Sequence, residues 1–101
     1  MERLISESIQ PETGAFDTAA MSRGEPGLPP AFTWRGRKAR VVECLKTWKV
    51  ARPEPGGELY VRRHYFRIRL DDGSEWTVYR LRKGVRQGWF LYSILDAESA
   101  G

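Results

Sequence analysis

A small antiparallel β barrel carrying a long irregular N-terminal arm is the fold this sequence predicts, and three observations predict it. The run from Tyr60 to Arg82 reads as two strongly alternating strands joined by Asp-Asp-Gly. Turn-forming Gly, Pro and Asp recur about every ten residues through the body of the chain, the rhythm of short strands in a barrel. A length of 101 residues with four Trp, four Tyr and four Phe supplies one small core and one domain. Five to six strands in meander order, SH3-like or OB-like, are expected.

The elements follow in order. Residues 3–10 (RLISESIQ) read as a strand ended by Pro11. Residues 11–31 carry four prolines and three glycines, the composition of an irregular and partly mobile connection. Phe16, Met21 and Leu28 are its candidate pins to the body. Residues 1–31 therefore form a strand plus arm, residues 32–96 the barrel body, and residues 97–101 a disordered tail. Arg35-Gly36 is a tight turn between a short strand, Phe32 to Trp34, and a long one, Arg37 to Val50. Apolar residues fall on both parities of that long strand, which implies a bulge near Glu43 to Leu45. A helix over 39–49 competes; Val41, Val42 and Thr47 oppose it, whereas Glu43, Leu45 and Lys46 favour it. Residues 51–58 are a Pro/Gly loop. The last run, WFLYSIL, is apolar on both parities, which implies a strand buried on both sides or crossing between sheets.

Register decides what the central hairpin means, because a slip of one residue exchanges its two faces. A two-residue Asp72-Gly73 turn mixes apolar and charged groups on both faces. A three-residue Asp71-Asp72-Gly73 loop, with Gly73 at positive φ, pairs Ile68 with Trp76 and Phe66 with Val78. It sets Tyr65 against Tyr79, Arg67 against Thr77 and Arg69 against Glu75 on the other face. This register separates a dry face from a wet one and is the expected pairing.

Charge is unevenly distributed. The net charge is +4, but residues 1–31 sum to −3 while residues 32–52 sum to +6 and residues 60–90 to +5. Thirteen of the seventeen basic residues are arginine, the side chain suited to bidentate anion contacts and to stacking. The single cysteine, Cys44, rules out an intrachain disulfide and points to a reducing compartment. With no signal-like or membrane-spanning apolar run, a cytoplasmic address is expected.

Catalytic chemistry finds no footing. His64 and Cys44 are the only residues of their kinds and lack ligand-spaced partners, so no metal and no cofactor are expected. No nucleophile-elbow, phosphate-loop or dinucleotide motif is present, and the protein is read as a binding module and not as an enzyme. His64 falls on the inner parity, where packing is its expected role. The constellation that points to function is the outer face of the hairpin. Tyr65, Arg67 and Arg69 lie across from Tyr79, with Arg80, Arg82, Lys83 and Arg86 extending the positive field. Arginine interleaved with aromatic rings suits single-stranded or non-specific nucleic acid, and equally suits a protein interface. The bland alternative is that Phe16 or Leu28 of the arm covers the two tyrosines.

Several blocks together resemble a small bacterial domain family of unknown function. They are Phe32-Thr33-Trp34-Arg35-Gly36-Arg37, Val41-Val42-Glu43 with Leu45 and Trp48, Tyr65-Phe66-Arg67-Ile68-Arg69, Asp72-Gly73, Val78-Tyr79-Arg80, and Gly88-Trp89-Phe90-Leu91-Tyr92. The resemblance spans about residues 3–95. It implies no catalytic residues. Because some members of that family occur with relatives of Y-family translesion polymerases, it implies a DNA-repair context and a polymerase-like partner.

Overall fold

The computed structural model describes residues 2–14, 27–53, 60–83 and 86–96, with the backbone alone described at 51–53, 60–62, 82, 83, 86 and 87. Six strands run in chain order: β1 (Glu2–Pro11), β2 (Ala31–Trp34), β3 (Arg37–Pro53), β4 (Tyr60–Leu70), β5 (Glu75–Lys83) and β6 (Arg86–Leu95). Each pairs antiparallel with its successor, and β1 pairs with β6 to close a meander barrel. Closure matters because it satisfies edges that an open sheet of this size would leave to water or to other chains. The helix that competed for residues 39–49 does not form; β-branched Val41, Val42 and Thr47 lie in β3.

The β4–β5 hairpin has the register expected from the three-residue loop. Ile68 opposes Trp76, Phe66 opposes Val78, Arg67 opposes Thr77, Tyr65 opposes Tyr79 and Arg69 opposes Glu75. Gly73 sits at φ 86° and its N–H donates to the Leu70 carbonyl at 3.0 Å, while Leu70 N–H donates to the Ser74 carbonyl at 2.9 Å. The Asp72 carboxylate accepts from the Ser74 N–H at 2.8 Å and from the Ser74 hydroxyl at 2.5 Å. That local capture is what Asp contributes to such a loop. The β2–β3 turn likewise uses positive φ at both central residues, Arg35 at 51° and Gly36 at 75°. An arginine there is unusual. It is held by an ion pair to Glu7 at 2.5 Å, and its guanidinium lies 4.6 Å from the centre of the Trp34 ring.

Alternation places Phe66, Ile68 and Leu70 inside, and they meet Trp76, Val78, Leu91 and Phe32. Phe32, Ile68, Val78 and Leu91 have no exposed surface at all. Each such side chain contributes about 1.5–3 kcal/mol through removal from water. Leu28 also enters this core, so one of the expected pins of the arm holds. Phe16, Met21, the central part of the arm and the tail after Asp96 lie outside the described residues.

Bulges bend the sheet into a ring. On β3 the pairing shifts between Val41 and Glu43 and again between Cys44 and Lys46, which makes Val42 and Leu45 the extra residues. This is the irregularity expected from mixed parity. In β6 a similar shift makes Tyr92 an extra residue, since Thr77 opposes Ser93 but Val78 opposes Leu91. The final run is therefore neither buried on both sides nor shared between two sheets. Trp89 and Leu91 face inward, the bulge swings Tyr92 out, and Ile94 faces inward again. Past Val41, β3 is paired on its β4 side only among the described residues.

Two predictions follow from the hairpin loop. Gly73→Val should lower unfolding free energy by about 1–3 kcal/mol in a denaturant titration, because a β-branched residue is strained at that φ. The Ser74 hydroxyl, more than any other group, holds the Asp72 carboxyl below the ordinary aspartate range. A depressed native pKa contributes stability that is complete above the unfolded value and is lost as pH falls through the folded one. Ser74→Ala should accordingly cost stability at neutral pH and flatten the acid limb of a Tm-against-pH curve.

Candidate binding face

The outer face of the barrel grows from the same alternation that fills its interior. Tyr65 on β4 lies between Trp48 on β3 and Tyr79 on β5, each its direct cross-strand partner. Phe90 on β6 continues the row beside Tyr79. Ring centroids are 5.1 Å apart for Trp48–Tyr65, 5.1 Å for Tyr65–Tyr79 and 5.3 Å for Tyr79–Phe90. The spacing is that of neighbouring strands, so four rings stand side by side across four strands. Trp48 and Tyr65 are within 2° of parallel, and Tyr79 and Phe90 within 16°. Tyr92, thrown outward by its bulge, meets Tyr65 edge-on at 6.1 Å.

Cations sit on these rings. The Lys46 ammonium lies 5.4 Å from the Trp48 ring and the Arg63 guanidinium 5.0 Å from the Tyr79 ring. Arg63 also donates to the Tyr65 hydroxyl at 3.4 Å, and that bond chiefly raises the guanidinium's pKa. Burial pushes the Tyr79 phenol upward against the pull of Arg63, so the phenol stays protonated at neutral pH.

The structure brings Tyr65, Arg67, Arg69 and Tyr79 together on this face, as the sequence suggested. It also commits both arginines to acids. Arg67 donates to Glu75 at 3.1 Å and approaches Glu2 at 3.6 Å, with the Arg67 and Glu75 side chains only 28% and 27% exposed. Glu2 also accepts from the buried Ser93 hydroxyl, and Arg69 pairs with Glu43. Arg80 does not join the set: it pairs with His64 and Trp89, both buried, so strand alternation puts it on the inward parity. Arg82, Lys83 and Arg86 belong to the paired ends of β5 and β6, and their side chains lie outside the described residues.

Leu28 is in the core and does not cover the tyrosines; Phe16, the other candidate cover, lies outside the described residues. Sequence reasoning missed Trp48, Phe90, Arg63 and Lys46 as members of the face. Unbroken alternation from Val41 already puts Trp48 on the outer face, and the two β3 bulges decide only that its partner is Tyr65; Arg63 could also have been found, since it shares parity with Tyr65 and Arg67. His64 packs as expected, stacked on Phe66 at 4.7 Å and sharing a hydrogen bond with the Thr47 hydroxyl at 2.5 Å. Among the described residues no group of His, Cys, Asp and Glu is arranged to hold a metal ion. No helix there is long and apolar enough to cross a membrane.

The arrangement is a small meander barrel with an aromatic and guanidinium face. Residues 1–96 match the family described as Domain of unknown function (DUF6504), and the chain belongs to it. No curated protein and no solved structure matches the chain.

The ladder carries a stability prediction. Tyr65 touches Trp48, Tyr79, Tyr92 and Arg63, and aromatic pairs contribute about 0.5–1.5 kcal/mol each beyond burial. Tyr65→Ala should therefore lower Tm by roughly 5–15 °C in a calorimetric scan, at about 4–8 °C per kcal/mol for a domain of this size. Tyr65→Phe should stay close to the parent.

Proposed function

We propose that this barrel is a binding module, of the kind that small SH3-like and OB-like barrels supply, and that its ladder face docks a protein partner. The observation that carries this reading is that the ring faces and arginine charges of the site are already occupied within the molecule. Single-stranded nucleic acid needs open ring faces for its bases and unpaired cations for its phosphates. Here Trp48 lies between Tyr65 and Lys46, Tyr79 lies against Phe90 and Arg63, and Arg67 and Arg69 hold acids. What remains exposed is a pre-ordered surface of ring edges and phenol hydroxyls. Protein interfaces favour such Tyr, Trp and Arg anchors because little side-chain entropy is lost on docking.

The resemblance noted above suggests a polymerase-like partner and a DNA-repair setting, and the single cysteine suits a reducing, cytoplasmic one. A second reading, non-specific nucleic-acid contact, is favoured by the cations of β3. Arg37, Arg40, Lys46 and Lys49 belong to that strand and none has an ion pair among the described residues.

Amide chemical shifts separate the two readings. With a purified polymerase-like protein from the same genome, saturable shifts should centre on Tyr65, Tyr79 and Phe90 and persist after nuclease treatment. Tyr79→Glu should abolish them. Oligonucleotide affinity that falls steeply between about 50 and 200 mM salt, with no protein-induced shifts, would replace the first reading by the second.

A further inference from the structure

Charge is sorted along the strands of this barrel. The row Thr47–Phe66–Val78–Leu91 crosses β3 to β6. From that row outward, to Pro53, Tyr60, Lys83 and Arg86, the four strands contain no Asp and no Glu. With their connecting segments, these residues (47–66 and 78–91) hold eight Lys and Arg against Glu54 and Glu58, a net +6. Both glutamates lie outside the described residues. Since the whole chain is +4, the remainder sums to −2. The ion pairs among the described residues all fall in that remainder. One end of the sheet is thus neutralised internally, and the other is not.

The same end is where the ring opens. β1 pairs with β6 no further than Ile9–Trp89, and β2 pairs with β3 no further than Ala31–Arg40. Past these points β3 to β6 continue as a four-stranded sheet whose outer edges are unpaired among the described residues. Its first inward row beyond the core is Lys49–His64–Arg80–Trp89. His64 and Trp89 are buried there, Arg80 is half-buried and Lys49 is exposed. On the opposite side Arg63 lies over the Tyr79 ring. The seven residues of β3 from Thr47 to Pro53 extend about 23 Å at about 3.3 Å per residue. A nucleic-acid duplex carries about thirteen phosphates along that length, at one per ~1.7 Å. Three or four contacts to such a backbone are within reach of this sheet end.

We propose that this acid-free end of the sheet binds duplex nucleic acid through its phosphates, without reading the bases. The inference rests on the second reading above, and gives it a surface and a form of nucleic acid. Six of the eight cations are arginine, whose planar fork matches phosphate oxygens. A membrane surface fits less well, because insertion needs apolar side chains beside the cations. Among the described residues the exposed large apolar side chains are Leu4, Val42 and Tyr92, none of them in this part of the sheet. A single strand also fits less well. It gains affinity by stacking bases on open rings, and Trp48, Tyr65, Tyr79 and Phe90 are stacked on one another. With stacking unavailable, phosphate density decides, and a duplex presents the denser array.

Fluorescence anisotropy with a labelled DNA duplex gives the test. Binding should be saturable with Kd on the order of 1–100 µM near physiological salt, and unchanged when the sequence is scrambled. Affinity should fall about 50- to 150-fold between about 50 and 200 mM salt, the slope for three or four phosphates. The corresponding single strand should bind several-fold more weakly. Lys49→Ala should weaken the duplex about three- to ten-fold and lower the salt slope by about one, with Lys49→Glu weakening it further. Lys49 is exposed, so both variants should keep the parent's Tm. Lys38→Ala, at the opposite end of the sheet, should stay within about two-fold of the parent. Loss on Arg37→Ala or Arg40→Ala with Lys49→Glu unchanged would leave nucleic-acid contact standing and overturn this placement. Absence of salt-dependent binding to either form would end both. Tighter binding of the single strand, or equal binding of poly-glutamate or of vesicles rich in phosphatidylserine, would overturn the duplex assignment.

Discussion

One short contact, the Gly73 N–H to the Leu70 carbonyl at 3.0 Å, fixes the parity on which the molecule depends. It commits the hairpin to a three-residue loop, and through the loop to a register in which Phe66 and Ile68 face Val78 and Trp76. A loop one residue shorter would carry Arg67 and Arg69 towards the interior opposite apolar partners, and a desolvated guanidinium there would cost several kcal/mol. The interior and the ladder are therefore two consequences of the same turn. Whatever fills the core with Phe66, Ile68 and Val78 necessarily raises Tyr65, Arg67 and Tyr79 on the outside.

Bulges then decide which outer residues become neighbours. Each of the two on β3 moves the pairing by one residue, so together they restore parity while displacing the register by two. Trp48 stays on the outer face but comes to lie opposite Tyr65, where an unbroken ladder continued from Val41–Leu70 would set it opposite Arg63. The stacked pair at the head of the ladder thus exists because Val42 and Leu45 are extra residues. The bulge at Tyr92 does similar work on β6, preserving Ile94 for the core and delivering another ring to the face. A strand edge interrupted in this way also pairs poorly with foreign strands, which suits the single-sided stretch of β3.

The parts legible in the sequence were those fixed by local chemistry. Asp71-Asp72-Gly73 and Arg35-Gly36 announce turns because few residues reach positive φ, and clean alternation from His64 to Leu70 announces two faces. What stayed hidden was long-range. Nothing near Arg67 in the chain says that Glu2, more than sixty residues earlier, will sit 3.6 Å from it, and that contact depends on ring closure between β1 and β6. Ser93 and Thr77 are buried although polar, because Glu2, Glu75 and Arg67 close over them. WFLYSIL offered no parity signal, since a bulge at Tyr92 and a doubly buried strand have the same apolar composition. Arg80 is a different case. Alternation alone sets it on the opposite side from Tyr79, and treating it as one of a run of basic residues overlooked that.

Ion pairing changes what the positive charge of this chain can mean. Read as composition, thirteen arginines suggest an anion-binding surface. In the folded barrel Arg3, Arg35, Arg67 and Arg69 each hold a carboxylate, and Arg63 lies on aromatic rings. Such pairs contribute little stability at an exposed surface, about 0–1 kcal/mol. Their effect is to remove local charge and to fix long side chains in place. On the ladder face Arg67 and Arg69 are neutralised by acids, while Lys46 and Arg63 keep their charge and lie against rings. On the proposed reading, side chains already held by such contacts would lose little entropy on docking, and affinity should depend more on shape than on ionic strength.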